Sequence, residues 1–166
     1  MARPLAALIW LLGIGSSALA STPGVPPVTQ GIRTLGLQVR LWGDAPPTLL
    51  KTLPLTLATS LRSAGAEVVL AGDAGFGELK AQVGVLLRAF KSHEGRQCAW
   101  GVDIDLYQPV RLERDESIRL SSAPTFHSSR MGVIACSDLE SALHDAAVDL
   151  FEEFLRVYRF DHGALK

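Results

Sequence analysis

From Cys98 to Tyr107 the chain alternates without a break. Cys98, Trp100, Val102, Ile104 and Leu106 fall on one side, and Ala99, Gly101, Asp103, Asp105 and Tyr107 on the other. Successive side chains of a strand project to opposite faces, so this stretch is a strand with one apolar face and one mainly polar face. A sheet built from such strands buries one side and leaves the other to solvent. The remaining sequence must therefore supply a cover for a single face.

The other strands follow the same rule. Leu35, Leu37, Val39 and Leu41 alternate with Gly36, Gln38, Arg40 and Trp42, which puts Trp42 on the outward face of a first strand. Glu67 to Ala71 is a short β-rich run bounded by Gly65 and Gly72, and Ala81, Val83, Val85, Leu87 and Ala89 make a third strand. A polar turn from Ser92 to Arg96 joins it to the Cys98 strand, and a turn from Arg114 to Ser117 leads into a Ser/Thr-rich fifth strand reaching about Ala135. Pro109 and Pro124 cannot donate to a ladder, so each marks an edge or a bulge.

Two segments have helical periodicity. Between Pro46 and Ala64 the apolar positions are Leu50, Leu53, Leu57, Leu61 and Ala64, with Gly65 placed as a C-terminal cap. An interior proline costs about 3 kcal/mol, so Pro54 predicts a helix that starts near Thr52 or kinks there. Ser137 and Glu140 have the spacing of a capping box for a last helix. Its stripe is Leu139, Leu143, Ala146, Ala147, Leu150, Phe154 and Val157, with Asp145, Asp149, Glu152 and Glu153 opposite and an end near Tyr158 or Arg159. The order β-α-β-β-β-α predicts an α+β two-layer sandwich, with two helices on one face of a four- to five-stranded mixed or antiparallel sheet.

Ahead of this domain, Arg3, the apolar run from Leu5 to Ile14 and the Ala18-x-Ala20 pattern have the layout of a secretory signal peptide over residues 1–20. The run is shorter than the ~20 residues that span a bilayer, and no cysteine follows it to take a lipid. The chain is expected to be exported, periplasmic or extracellular, with no stable membrane anchor after cleavage. Residues 21–33, rich in Pro and Gly, read as a flexible linker, 34–160 as one domain and 161–166 as a frayed tail. A net charge of −1 with dispersed basic residues gives no electrostatic footprint for nucleic acid.

In an exported chain the pair Cys98 and Cys136 predicts a disulfide worth about 2–4 kcal/mol, with two buried thiols as the other reading. Ladder counting sets Cys98 opposite about Gly132, so a bulge or the helix entry has to fold Cys136 back. There is no CxxC for redox catalysis.

On the polar face, the same count sets His127 opposite Asp103 and Thr125 opposite Asp105. A metal needs one more convergent ligand, and a nucleophilic triad needs Ser129 on a strained turn beside a base. We therefore assign no catalytic residue, metal or cofactor, and take Arg40, Trp42, Asp103, Asp105, Tyr107 and His127 as a candidate binding face. Gly72 to Gly77 lacks the lysine-serine/threonine ending of a phosphate loop. The expected function is a non-enzymatic binding or assembly module whose partner is an envelope protein or other extracytoplasmic component. The alternatives are a metal-dependent or hydrolytic enzyme using Asp103, Asp105 and His127, and a self-associating structural protein of the envelope.

Val102 to Arg114, with its Gln108-Pro109-Val110-Arg111-Leu112 core, and Asp149 to Leu155 in the last helix resemble a group of uncharacterised exported bacterial proteins. Those proteins have a QPVRL strand and a closing helix with a DLVDEFL-type phrase, and the resemblance implies their α/β order but no activity. The topology is similar to small periplasmic modules of envelope assembly, including lipopolysaccharide-assembly lipoproteins and the amino-terminal domain of TolB-type proteins.

Overall fold

The computed structural model describes residues 28–112 and 114–163, so the expected signal peptide and the linker up to residue 27 lie outside the described residues. The elements are β1 (Thr34–Gly43), α1 (Leu49–Ser63), β2 (Glu67–Leu70), β3 (Gln82–Lys91), β4 (Gln97–Leu112), β5 (Asp115–Ala135) and α2 (Leu139–Asp161). They form one sheet of order β2-β1-β3-β4-β5. β1 runs parallel to β2 and β3, and the remaining pairs are antiparallel. The sheet is mixed, and both helices pack on its apolar face.

That face is closed by leucines of α1 and aromatics of α2. Leu53, Leu57, Val85, Ile104, Leu106 and Phe154 are fully buried. The Phe154 ring lies 5.3 Å from Phe126 of β5 and 5.8 Å from Phe151. Because β3 joins the edge of β1 opposite β2, the connection from β2 has to cross β1, and it does so on the uncovered side. Gly36 makes room for it: a Cβ there would stand 2.9 Å from the Phe76 ring.

Three helix details differ from the sequence reading. α1 starts at Leu49, ahead of Thr52, because the amides of Leu49, Leu50 and Lys51 donate to Pro46, Pro47 and Thr48 in tight turns. That phase buries Leu49 and leaves Leu50 exposed, with Pro54 inside the helix. At α2 no capping box forms, since Ser137 turns to Asp138 and Glu140 accepts a 2.6 Å hydrogen bond from Thr48 of α1's entry. Asp149 and Glu153 flank β5 rather than facing away from the sheet: both pair with Arg130.

The end of the expected linker is docked. Thr29 is fully buried and donates through its amide and hydroxyl to Asp161 at 2.7 and 2.8 Å, while Tyr158 Oη donates to the Ile32 carbonyl. Asp161 and His162 take part in this contact, His162 stacking on Tyr158 with ring centroids 4.3 Å apart. Those two residues are thus held in place where a frayed tail is expected.

Ladder counting is corrected by two residues. The β4–β5 register shifts at Arg111/Leu112 beside the turn, then at Gln108/Val110, around Pro109, and again at Leu106/Tyr107, beside Pro124, the last two together moving it by two residues. Past these irregularities Cys98 lies opposite Ile134, Asp103 opposite Ser129 and Asp105 opposite His127. A shift of two keeps every side chain on its face. It also carries Cys136 back to Cys98, with a Cα–Cα distance of 5.0 Å across the disulfide. Beyond the Gln82–Tyr107 pair, β4 and β5 continue without β3 as a two-stranded ribbon.

Candidate functional site

The sheet face turned away from the helices carries the residues singled out by alternation. The pairing lays them out in rows: Trp42, Arg88, Gly101 and Met131 in one, Arg40, Leu86, Asp103 and Ser129 in the next, then Gln38, Gly84, Asp105 and His127. Tyr107 follows beside Gln82. On the other flank of the Trp42 row stand Phe90, Ala99 and Val133. The face therefore has a polar half and an apolar half.

Side chains in the polar half are paired with one another. Arg88 passes over Gly101, which has no side chain to block it, and meets Asp103 at 2.7 Å. His127 Nδ1 lies 2.8 Å from Asp105 Oδ1, and Tyr107 Oη donates to Asp105 Oδ2 at 3.4 Å. Burial raises the Tyr107 phenol above its ordinary range, and the Asp105 charge adds to this. Asp103 and His127 do not face each other: Asp103 pairs with Arg88 and Asp105 with His127, so the three residues do not form one cluster. Among the described residues no group of three or more His, Cys, Asp or Glu is placed to hold a metal. Ser129 stands in the row adjacent to the Asp105–His127 pair, opposite Asp103, on extended strand.

Large apolar side chains dominate the other half. Trp42, Phe90, Met131 and Val133 are 62, 52, 75 and 67% exposed, and the Phe90 ring lies over Gly43, beside Trp42. Sequence reasoning singled out Trp42 but missed Phe90, Met131 and Val133. Their signal was parity: each lies an even number of positions from a polar-face residue of its own strand, Arg88 for Phe90 and His127 for the others. Arg40 lies in the Asp103 row with Leu86 between them.

No protein-family model matches the chain, and no curated protein matches it. Solved structures do. The chain is similar to the PelC dodecamer from Paraburkholderia phytofirmans at 16% identity, covering 71% of this chain and 85% of that one with a TM-score of 0.40. It is also similar to the lipoprotein GNA1162 from Neisseria meningitidis (12%, covering 74% and 97%, TM-score 0.32). A third is protein XCC0632 from Xanthomonas campestris, of the DUF330 family (11%, covering 86% and 91%, TM-score 0.33). Likeness at this level carries no functional argument. Among the described residues no helix is long and apolar enough to cross a membrane.

Proposed function

We propose that this chain is a non-enzymatic extracytoplasmic module that docks an envelope protein or other exported partner on its bare sheet face. The observation that carries the reading is the grouping of Trp42, Phe90, Met131 and Val133, all more than half exposed, on adjacent rows of one face. Clustered exposed aromatics and methionine are what binding surfaces offer, since they release the most water per side chain on contact. Arg88 stands in the row between Trp42 and Met131, and its pair with Asp103, like the Asp105–His127 pair further along the face, would set orientation more than affinity. The Cys98–Cys136 bond fits work in an oxidising compartment outside the cytoplasm.

The test is a pull-down from the exported fraction with the intact chain and with a Trp42→Ser/Met131→Ser variant. A partner held by the former and lost from the latter is expected. Equal recovery by both removes the outer face from the reading. Stoichiometric calorimetric binding of a divalent metal that disappears in Asp103→Ala/His127→Ala would instead favour the enzyme.

A further inference from the structure

The geometry points to a second binding site, on the edge of β1: we propose that an extended, acidic-apolar segment of another polypeptide adds there as a strand. β2 pairs with β1 only from Thr34 to Leu37 and ends at Leu70, whereas β1 continues to Gly43. The backbone alternates along β1. Gly36 and Asp44 donate to Ala81 and Ala89 on the β3 side at 3.0 and 2.8 Å, while Arg33 and Leu37 accept from Glu67 and Ala71 on the β2 side at 2.8 and 2.9 Å. Even positions therefore face β3 and odd positions face β2. By that parity the N–H and C=O groups of Val39 and Leu41 point to the β2 side, past the end of β2, where no described strand pairs with them. They offer two donors and two acceptors to a strand laid beside them.

A groove lies beside this open edge. Val39, Leu50, Pro54, Leu55 and Leu70 line a space of about 340 Å³. Leu50 and Leu55 project from α1 with 46 and 57% of their surface exposed. Pro54 has no N–H for the Leu50 carbonyl, which leaves a helix acceptor at the rim without its usual donor. The alternate side chains of an added strand would enter this groove.

The two edges of the sheet are treated differently. β5, the other edge, carries Pro124 and register irregularities, which discourage strand addition. The open half of β1 contains no proline and no register shift, and the Arg40 charge lies on the outer face. Charge selects the occupant further. α1 contains Lys51 and Arg62 but no Asp or Glu; Lys51 stands one turn from Leu55 on the helix flank beside the groove, whereas Arg62 donates to the Val68 carbonyl on the side of β2 away from β1. A segment with alternating large apolar residues and at least one carboxylate complements this edge in backbone, shape and charge.

The test pans a phage-displayed library of random linear dodecapeptides against the disulfide-bonded chain. The enriched peptides are then synthesised and their affinities measured for the unaltered chain, Leu55→Glu and Trp42→Ser/Met131→Ser. Peptides with alternating apolar residues and an Asp or Glu are expected, binding at least tenfold more weakly to Leu55→Glu and equally well to the outer-face variant. Hydrogen exchange at the Val39 and Leu41 amides should slow at least tenfold when peptide is bound. Leu55 is exposed, so its replacement leaves the fold intact, which circular dichroism verifies. The site is refuted if no peptide is enriched, or if Leu55→Glu leaves binding unchanged. It is equally refuted if bound peptide leaves the two amides unprotected. A concentration-dependent mass that Leu55→Glu abolishes would assign the edge to a second copy of the chain and overturn the proposal. The outer-face variant keeps this result separate from the function proposed above.

Discussion

The two faces of the sheet are made by the same strands and have opposite character. On the helix side Leu35, Leu37, Val83, Val85, Val102 and Ile104 are almost wholly buried, and they interlock with α1 and α2. On the other side the same strands carry ion pairs and four large apolar residues that no second layer covers among the described residues. Burial stabilises the first face by about 25 cal/mol per Å² of apolar surface removed from water, whereas the second face leaves that free energy available for a contact. One face holds the fold, and the exposed apolar residues of the other are expected to tolerate replacement.

The sharpest way to break this contrast is to cut into the covered face. Phe154→Ala should cost about 3–5 kcal/mol in urea denaturation, because it removes the ring between Phe126, Phe151 and Tyr158. Replacing Cys98 and Cys136 together with Ser should cost about 2–4 kcal/mol, since the bond closes a 38-residue separation. If reduction leaves the midpoint unmoved, the ladder alone holds the β5–α2 corner.

Tyr158→Phe should cost about 1 kcal/mol by deleting the hydrogen bond to Ile32. Burial raises the Tyr158 phenol, so the folded state favours its neutral form. The associated stability is complete below the ordinary tyrosine pKa and is lost as pH rises through the raised folded value. Urea midpoints measured between neutral and strongly alkaline pH should accordingly fall less steeply for Tyr158→Phe. The smallest effect belongs to the bare face: Trp42→Ser and Met131→Ser should each change stability by no more than about 0.5 kcal/mol. A larger loss would show that this face supports the fold.

Much of the layout was legible. Alternation identified the core face of β1, β3 and β4, and helical periodicity located both covering segments. Register was harder to read. Counting from the turn missed two residues absorbed near Pro109 and Pro124, so it set His127 against Asp103 when Asp105 is its neighbour. The disulfide was predictable as a pair but needed that same shift to close. The capping box failed for a related reason: Glu140 had a tertiary partner, Thr48, which no local pattern records. Likewise Leu49 displaced Leu50 from the core because the Pro46–Pro47 turns set the helical phase.

The sequence by itself determined which face of each strand is apolar, because side-chain alternation is a covalent property of an extended chain and survives any even shift of register. It also determined the element order and the presence of two cysteines. Only the tertiary structure decided which residues meet. The pairing of His127 with Asp105, the crossing of Phe76 over Gly36 and the unpaired half of β1 all depend on where strands stop and bulge. Those stops are set by backbone hydrogen bonding between segments distant in the chain, which residue patterns within one segment do not encode.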